Sequence, residues 1–527
     1  MKVLIADSMS KQALEVFKKF EEIEVDVKTG LSPEELKKII KDYDGLAIRS
    51  ATKVTEDLID AAPKLKVIGR AGIGVDNVDI PAATKKGIVV MNTPLGNANA
   101  AAEHAIALML SLARHIPQAN ASMKEGKWEK KKFMGIEVMD KTLGIIGLGN
   151  IGSIVASRAS GLKMNIIAYD PFLSEERAKQ KGVELVSLDE LFAKSDFITI
   201  HTPLTPETKN MINKDTFAKM KDGVMIINCA RGGIVNEKDL CDAIKSGKVA
   251  GAAIDVFEKE PTPADHPFHA IDEIITTPHL GASTEEAQEK VASAIAEQIG
   301  LFLTTGTIIN SVNVHSVDSE TMSKIGPYLD LARNMGRFLA QVCPFAISEV
   351  EMEYRGEMIK SDLTLITQAA VTGILSHFMP ETVNIINAPL LAKERGITVK
   401  EIKSSEIEDF ASLVTIKAKS NGEKYEISGT IFGKHDARIV RINNFIIEAV
   451  PKGNILFIFA YDQPGVIGNI GTTLGKNRIN IASMQFGRDK PGGLSVSILH
   501  VDNPLPSGIM EDISRLPNII SIKQVEL

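Results

Sequence analysis

Residues 141–162 read KTLGIIGLGNIGSIVASRASGL, an apolar strand, a glycine-rich turn and the start of a helix. The turn at 147–152 has the spacing G-x-G-x-x-G, in which Gly147 allows a tight turn and Gly149 lets the backbone approach a pyrophosphate. Gly152 permits close packing of the helix on the strand. The amide groups and the positive dipole of the helix N-terminus attract the pyrophosphate. Strand, turn and helix in this order predict a dinucleotide-binding unit.

The strand that follows, NIIAYD, ends in Asp170. A carboxylate at this position accepts hydrogen bonds from the ribose 2′-hydroxyl and repels a 2′-phosphate, so NAD is favoured over NADP. A glycine turn that serves only packing is the alternative interpretation. The strand, the helix and the acid together favour the nucleotide.

Short strands and helices alternate on both sides of this unit. Residues 1–96 contain KVLIA, KQALEVFKKF, IEVDV, SPEELKKII and GLAIR, a β/α alternation that predicts a parallel sheet with helices on its faces. Ser32, Pro33 and Glu35 have the pattern of a helix start. A helix is expected over 98–114, and a second β/α series runs from KTLGIIG to ITTPHLG at 275–281. The pattern therefore predicts two α/β lobes.

The rest of the chain has a different organisation. The polar segment NSVNVHSVDSE at 310–320 is typical of a linker. Helical segments and the hairpin KAKSNGEKYEISG, with its Asn421-Gly422 turn, predict an α+β domain over 321–450. The final segment, from NILFIFAYD to IISIKQVEL, alternates as βαββαβ, the order of a ferredoxin-like domain.

Length and composition narrow the functional classes. A chain of 527 residues is expected to divide into roughly three or four domains. The net charge of -7 argues against a nucleic-acid binder. The apolar run of MKVLIADSM is too short for a signal peptide, and no run is long enough to span a bilayer. Cys229, Cys241 and Cys343 have neither metal-ligand spacing nor a dense disulfide framework, so no metal and a reducing cytoplasm are expected.

Three residues at the ends of apolar strands are suited to the oxidation of an alcohol. His279 follows EIITT, Glu260 lies in AAIDVFEKEP, and Arg231 follows VMIINCA. The carboxyl ends of strands in an open α/β sheet face a common crevice. A carboxylate raises the pKa of a hydrogen-bonded imidazole and fixes its tautomer, and arginine can grip a substrate carboxylate. A structural salt bridge and a histidine at a helix start are the alternatives that the spacing leaves open.

The segments GRAGIGVDNVD, KKFMG, GLGNIG, NCARGG, DVFEKEP and PHLGAST together resemble the D-isomer-specific 2-hydroxyacid dehydrogenases. The resemblance covers nearly the whole chain and is closest to the long members of that family. It implies a Rossmann-type NAD domain at 98–282, inserted in a flavodoxin-like substrate domain at 1–97 and 283–312. An α+β intervening domain at 318–450 and a ferredoxin-like ACT domain at 453–527 would follow.

The resemblance also implies roles for residues of this chain. His279 would be the acid/base, Glu260 its partner and Arg231 the cation that orients the substrate. The implied cofactor contacts are Gly147, Gly149, Asn150, Ile151, Gly152, Asp170, Thr202, Cys229, Ala230, Arg231, Asp255, His279, Gly281 and Ala282.

A phosphate on the substrate is implied by basic residues in places that the family uses for it. Arg49 and Arg70 both lie at strand ends, where they favour substrate binding. Lys131 and Lys132 would reach across a dimer to the same phosphate. A solvated surface is the alternative for this lysine run.

The ACT domains of the family bind an amino acid, usually serine, at paired interfaces. Tyr461, Asp462 and Asn480, in and after YDQPGVIG, are the implied effector ligands. Some relatives have a histidine where this chain has Ala460. An oligomerisation domain without a ligand is therefore the alternative.

These features imply NAD-dependent oxidation of 3-phospho-D-glycerate to 3-phosphohydroxypyruvate, the first committed step of a route to serine, by a homodimer or homotetramer. Another D-2-hydroxyacid dehydrogenase, acting on glyoxylate or hydroxypyruvate, is a second hypothesis, against which Arg49, Arg70 and the C-terminal domains count. A non-enzymatic NAD-sensing scaffold is a third. The complete set of Arg231, Glu260 and His279 favours an enzyme, and neither a nucleic acid nor a membrane is expected as a partner.

Overall fold

The first sheet belongs to the N-terminal lobe. The computed structural model describes residues 1–317, 319–379, 383–406 and 409–527. The elements of this lobe are the strands Lys2–Ile5 (β1), Glu24–Val27 (β2), Gly45–Ile48 (β3), Val67–Arg70 (β4) and Val89–Met91 (β5), and the helices Gln12–Phe17 (α1), Pro33–Ile39 (α2), Glu56–Asp60 (α3) and Ile80–Lys85 (α4). All strands are parallel, in the order β2-β1-β3-β4-β5. This order confirms the flavodoxin-like expectation.

The predicted helix start at Ser32 is confirmed at the beginning of α2. The Ser32 hydroxyl accepts a hydrogen bond from the Glu35 amide, and the Glu35 carboxylate accepts one from the Ser32 amide. Pro33 occupies the first turn, where its missing N–H costs nothing. This reciprocal cap satisfies two amides that the helix itself cannot pair.

The second lobe contains a seven-stranded sheet. Its helices are Ala98–Ala113 (α5), Ile116–Lys124 (α6), Asn150–Gly161 (α7), Glu175–Gln180 (α8), Leu188–Lys194 (α9), Lys214–Lys219 (α10) and Glu237–Lys245 (α11), and its strands are Thr142–Ile146 (β6), Asn165–Tyr169 (β7), Glu184–Leu185 (β8), Phe197–Ile200 (β9), Val224–Asn228 (β10), Val249–Ile254 (β11) and Ile274–Thr276 (β12). The strand order is β12-β11-β10-β9-β6-β7-β8, and all strands are parallel. From β6 the chain adds strands first on one side, at β7 and β8, and then on the other side, starting at β9. This is the doubly wound Rossmann arrangement, in which ligands bind at the reversal point.

The long helix Glu285–Thr305 (α12) packs against the first lobe, although it follows the second lobe in sequence. Its residues Val291, Ile295 and Ile299 lie in one buried cluster with Val3 and Val67 of the first sheet. The chain therefore returns to its first sheet after completing the second.

The third sheet has six strands and is covered by two long helices. The elements are the helices Ser319–Val342 (α13), Thr364–Ser376 (α14) and Ala388–Glu394 (α15) and the strands Glu349–Gly356 (β13), Thr398–Ser404 (β14), Ser412–Ser420 (β15), Glu423–Phe432 (β16), Asp436–Ile442 (β17) and Phe445–Ala449 (β18). The order is β14-β13-β15-β16-β17-β18. Asn421 and Gly422 both have positive φ, as the predicted tight hairpin turn requires. Asp318, in the expected linker, lies outside the described residues.

The last sheet confirms the predicted βαββαβ order. Its elements are Asn454–Tyr461 (β19), Val466–Lys476 (α16), Ile481–Arg488 (β20), Leu494–Val501 (β21), Ser507–Ser514 (α17) and Ile519–Glu526 (β22), with the sheet order β20-β21-β19-β22. One face of this sheet packs on α13, where the rings of Phe457 and Phe338 lie 5.5 Å apart, edge to face. Among the described residues, no helix combines the length and apolarity that a membrane crossing needs.

Candidate active site

A cleft of about 1150 Å³ separates the two α/β lobes. The first lobe contributes Arg70, Gly74 and Asp76 to its walls, and the second contributes Arg231 and His279. The cleft lies beyond the carboxyl ends of β4, β10 and β12, so parallel strands of both sheets deliver their loops to one place.

His279 and Glu260 form a hydrogen-bonded pair inside this cleft. The His279 Nδ1 atom lies 2.7 Å from Glu260 Oε2, and the other carboxylate oxygen accepts the Phe257 amide at 3.0 Å. The hydrogen bond that His279 donates to Glu260 raises the pKa of His279, against an opposing effect of burial. For Glu260, burial by itself would raise the pKa of the carboxyl. The hydrogen bonds that His279 and Phe257 donate to it have the larger combined effect, so the pKa of Glu260 is lowered. The pair can therefore exchange a proton at His279 while Glu260 stays ionised.

Asp255 holds the loop that presents His279. Its carboxylate is fully buried and accepts the Leu280 and Gly281 amides at 2.7 and 2.9 Å and the Thr277 hydroxyl at 2.6 Å. His279 itself has φ of 54°, a left-handed conformation that a side chain tolerates only when its surroundings fix it. Asp255 was predicted to contact the cofactor, but its carboxylate does not line the cleft in the described residues.

Arg231 links the two lobes across the cleft. Its Nε donates to Asp76 Oδ2 at 2.9 Å, and its Nη1 donates to the Ala230 carbonyl at 2.6 Å. The Nη2 atom lies against Gly74, so close that a Cβ at position 74 would overlap it. Asp76 and Ala230 thus orient the guanidinium and leave the Nη2 hydrogens for a ligand.

Further cations surround the cleft. The Arg70 guanidinium has no hydrogen bond or ion pair within the described part of the chain, and its Nε is buried. Burial, together with the nearby charges of Arg231 and Arg49, lowers the pKa of Arg70 to about 10. Within the described residues, the Arg49 side chain donates only to the Ser8 carbonyl, at 3.1 Å, while its backbone amide donates to Asp7 Oδ2 at 2.6 Å. The exposed Lys53 also lines the cleft. A half-buried guanidinium whose buried Nε has no partner is costly, so this arrangement indicates a site for an anionic ligand.

The glycine turn has the geometry that a pyrophosphate needs. Gly147 has φ of 91°, and a Cβ at Gly152 would meet the carbonyl of Gly147. A Cβ at Gly149 would meet nothing within 4 Å, so open space lies over the start of α7. The Asp170 carboxylate accepts the Leu148 and Phe172 amides, each at 2.9 Å, and so fixes the turn.

The structure brings most of the predicted site residues together. Those that line the cleft itself are Arg70, Asn150, Ile151, Thr202, Cys229, Ala230, Arg231, Glu260, His279, Gly281 and Ala282. Gly147, Gly149, Gly152 and Asp170 form the adjoining turn, and Arg49 lies beside Arg70. Lys131 and Lys132 are exposed and do not line the cleft of their own chain in the described residues.

The comparisons with known proteins agree with this site. A model of the D-isomer specific 2-hydroxyacid dehydrogenase NAD binding domain matches residues 106–281. Models of the D-3-phosphoglycerate dehydrogenase intervening domain and of the ACT domain match 324–443 and 454–518. D-3-phosphoglycerate dehydrogenase of Archaeoglobus fulgidus is 47% identical over 529 residues, covering 100% of both chains. This chain belongs to the D-3-phosphoglycerate dehydrogenase family.

Other relatives support the family and the fold. D-3-phosphoglycerate dehydrogenase of Bacillus subtilis is 42% identical, covering 100% of this chain and 99% of the relative. An NAD-dependent formate dehydrogenase from Staphylococcus aureus, solved with NAD, is 31% identical with a TM-score of 0.55, covering 60% of this chain and 100% of that one. D-lactate dehydrogenase from Aquifex aeolicus, solved with NAD and lactic acid, is 28% identical with a TM-score of 0.53 and the same coverage. The predictions of an NAD-binding domain and of the family are confirmed.

Three cleft residues were not singled out from the sequence. Lys53 lies four residues after Arg49, and Asp76 lies six residues after Arg70. The third residue is Asn97, whose buried Oδ1 has no hydrogen-bond partner among the residues that the structure describes, and the same holds for Oγ1 of the predicted Thr202. Unpaired buried acceptors and hydroxyls in a cleft indicate groups that a ligand completes. The sequence feature that could have identified Lys53 and Asp76 is their position in a loop directly after a strand.

The predicted effector residues of the ACT domain already have partners. Asp462 accepts Arg488 Nη1 at 3.0 Å and the Gly492 amide at 3.2 Å, and the bond from Arg488 lowers the pKa of this carboxyl. Asn480 donates to Asp502 at 3.1 Å, and Tyr461 is half exposed. An ammonium group at Asp462 would therefore compete with an internal guanidinium.

Proposed function

We propose that this chain catalyses the NAD-dependent oxidation of 3-phospho-D-glycerate to 3-phosphohydroxypyruvate, the first committed step of the phosphorylated route to serine. The observation that carries the proposal is the half-buried Arg70, whose buried Nε has no hydrogen-bond partner among the described residues, beside Arg49, Lys53 and Arg231 in the cleft that holds the His279–Glu260 pair. Such a concentration of positive charge suits a substrate with both a carboxylate and a phosphate.

Each group of the site has a separate task. The 147–152 turn would hold NAD, whose nicotinamide would accept the hydride. Arg231 holds the substrate carboxylate through Nη2 and orients the carbon that bears the hydroxyl. Glu260 keeps the His279 Nδ1 atom bonded, which leaves Nε2 to accept the hydroxyl proton. The carboxylate then stabilises the imidazolium that forms, so the proton remains at His279 until solvent takes it.

The phosphate is assigned to the first lobe. Arg70 is the last residue of β4 and Arg49 follows the neighbouring strand β3, close enough for the charge of Arg49 to lower the pKa of Arg70. Two guanidinium groups that repel each other in the absence of a ligand gain most from a dianion placed between them. Lys53 is a third cation on the same side of the cleft.

Initial rates of NADH oxidation test the proposal. Wild-type enzyme should reduce 3-phosphohydroxypyruvate in strong preference to hydroxypyruvate. Replacing Arg70 by Met should lower kcat/KM for the phosphorylated acid by roughly ten- to a hundred-fold, because a hydrogen bond to a charged group is lost. The rate with hydroxypyruvate should change little. Equal rates with the two acids would instead identify an unphosphorylated D-2-hydroxyacid as the substrate, and no rate with either would favour the NAD-sensing scaffold.

We also infer that the chain forms a homodimer or homotetramer. The support is an exposed apolar arm after α6, where Trp128 and Met134 are 81% and 79% exposed. Contiguous exposed apolar surface is typical of an interface between protein chains. Lys131 and Lys132 lie on this arm, so that a second copy packed there would receive them at its own cleft.

The remaining assignments are inferred in the same way. The domain limits are 1–97 with 283–312, 98–282, 318–450 and 453–527, supported by the membership of the four sheets. Serine at the ACT domain would meet Tyr461, Asp462 and Asn480 once Arg488 is displaced. A reducing cytoplasm fits the three cysteines, none of which is in a disulfide.

A further inference from the structure

A second cavity, of about 470 Å³, lies in the intervening domain, away from the cleft and from the ACT domain. Its walls come from α14, from α15 and from β14 with the turn that precedes it. The volume falls in the range of small-molecule sites. Val371, Pro389, Ile397 and Val399 give it an apolar surface.

The polar groups of the cavity are unevenly satisfied. Gln368 Oε1 is buried and has no hydrogen-bond partner within the described ranges. Glu401 accepts the Thr367 hydroxyl, which also contacts the buried Tyr354 hydroxyl at 2.7 Å. This chain of bonds and an ion pair with Lys403, at 3.9 Å, fix the Glu401 carboxylate at the wall, and further lone pairs remain for a donor.

Lys393 supplies the opposite charge from the facing helix. Its ammonium group has no hydrogen bond or ion pair in the described part of the chain, and Lys393 lines the cavity from α15. The cavity therefore presents acceptors on α14 and β14, at Gln368 and Glu401, and a donor on α15. One cation and one anion over an apolar wall suit a molecule that carries both an ammonium and a carboxylate group. A phosphate would meet a single lysine and the repulsion of Glu401.

The same helix touches the catalytic half of the protein. Asn384 Nδ2, just before α15, donates to the Gly87 carbonyl at 2.9 Å, and Asn387 Nδ2 donates to the Lys85 carbonyl at 3.2 Å. Ile386 is buried in the core of the first lobe together with Met91. Strand β5 begins two residues after Gly87 and leads to Pro94, which lines the cleft. A displacement of α15 would thus act on a strand that ends at the cleft.

We propose that the cavity between α14, α15 and β14 binds a small neutral L-amino acid, with its ammonium group at Glu401 and Gln368 and its carboxylate at Lys393. The bound amino acid links α15 to α14 and β14, and any shift of α15 is transmitted to the first lobe through the hydrogen bond from Asn384 to the Gly87 carbonyl. Binding alters the affinity of the cleft for its keto acid, as a coupling between two distinct sites. The site does not include Asp462, and none of its residues lines the cleft of the dehydrogenase reaction.

Calorimetric titration of the full-length protein tests the binding. The probes are L-valine and L-serine, compared with isobutylamine and propionate, which each lack one of the two charged groups. The amino acids should bind, the two analogues should bind at least about ten-fold more weakly, and Lys393→Met and Glu401→Gln should each weaken the amino acid by a similar factor. Lys434→Met, which removes an exposed lysine from a distant hairpin, should bind as the wild type does.

Two further variants separate this site from the others. Binding should persist in His279→Ala, whatever the catalytic role of that residue, and in Asp462→Asn.

A third variant tests the coupling to the cleft. Asn384→Ala should keep the binding but lose the change in KM for the keto acid, and hydrogen exchange over 384–394 should slow on binding in the wild type. Absence of binding at millimolar concentrations, equal binding by the Lys393 and Glu401 variants, or loss of binding in Asp462→Asn alone would overturn the proposal.

Discussion

Replacing Gly74 by Ala should disable substrate binding while leaving the fold intact. A Cβ at this position would lie 2.9 Å from Arg231 Cζ and 2.8 Å from Asp76 Oδ2, and closer still to Arg231 Nη2. Since ordinary contacts between such atoms are about 3.5 to 4.0 Å, the guanidinium, and its Nη2 atom above all, must move by more than about 1 Å. Gly74 does not have positive φ, so alanine introduces no backbone strain. The part that moves is the tip of a flexible side chain, and stability should hardly change.

The size of the effect follows from that displacement. A misplacement of about 1 Å in a group that orients the substrate lowers catalytic efficiency by roughly a hundred-fold. This corresponds to about 2.7 kcal/mol of lost transition-state stabilisation. The loss should fall on kcat/KM for 3-phosphohydroxypyruvate, whereas the Kd for NADH should stay within about two-fold of the wild type, because no atom of the 147–152 turn is touched.

Steady-state rates, NADH titration and thermal denaturation together measure these quantities. Gly161→Ala is the matched control, since Gly161 lies near the end of α7 and a Cβ there would meet nothing within 4 Å. It should keep normal activity and gain a little stability. Normal kcat/KM in Gly74→Ala would refute the role given to Arg231, and a large loss of Tm would mean that the glycine serves folding instead.

Three further changes test other parts of the structure. His279→Ala should lower kcat by roughly 10²- to 10⁴-fold with NADH binding nearly intact, which single-turnover kinetics and NADH titration can check; normal turnover would remove the acid/base assignment. Glu260→Gln should lower the pKa of His279 from its raised position, so that reduction of the keto acid, which needs the imidazolium, is lost at a lower pH than in the wild type; an unshifted pH–rate profile would contradict this. Gly69→Ala should cost about 1–3 kcal/mol in the free energy of unfolding, because its Cβ would lie 2.5 Å from Ile299 and 2.7 Å from Ile295; unchanged denaturant unfolding would show that α12 can shift on the sheet.

Features that depend on a few neighbouring residues were predictable from the sequence. The glycine turn, the cap at Ser32 and the Asn421-Gly422 hairpin each rest on local backbone geometry that few residues can adopt. The order of strands and helices followed from hydrophobic periodicity, and it gave both parallel sheets and the final βαββαβ domain.

Contacts between segments distant in sequence were not predictable in the same way. Asp76 and Arg231 are 155 positions apart, and nothing in either loop encodes the other. The burial of Asp255 and the pairing of Asp462 with Arg488 likewise depend on how loops pack. Residue type and position after a strand could place these side chains near the cleft or the ACT loop. They could not show which polar atoms already had partners.

The two connections between the α/β lobes run side by side, because the chain leaves the first lobe before α5 and returns to it at α12. Gly96 on the outgoing connection packs on Val291 of the returning helix, where a Cβ would lie 2.5 Å from the Val291 side chain. Two adjacent crossings form a double hinge, which permits rotation about one axis and resists twisting. A rotation that widened the cleft about this hinge would separate Asp76 from Arg231 and break the bond between them. The distance between spectroscopic labels on the two lobes would then report the angle between them, and that angle would show whether the ion pair of Asp76 and Arg231 is formed.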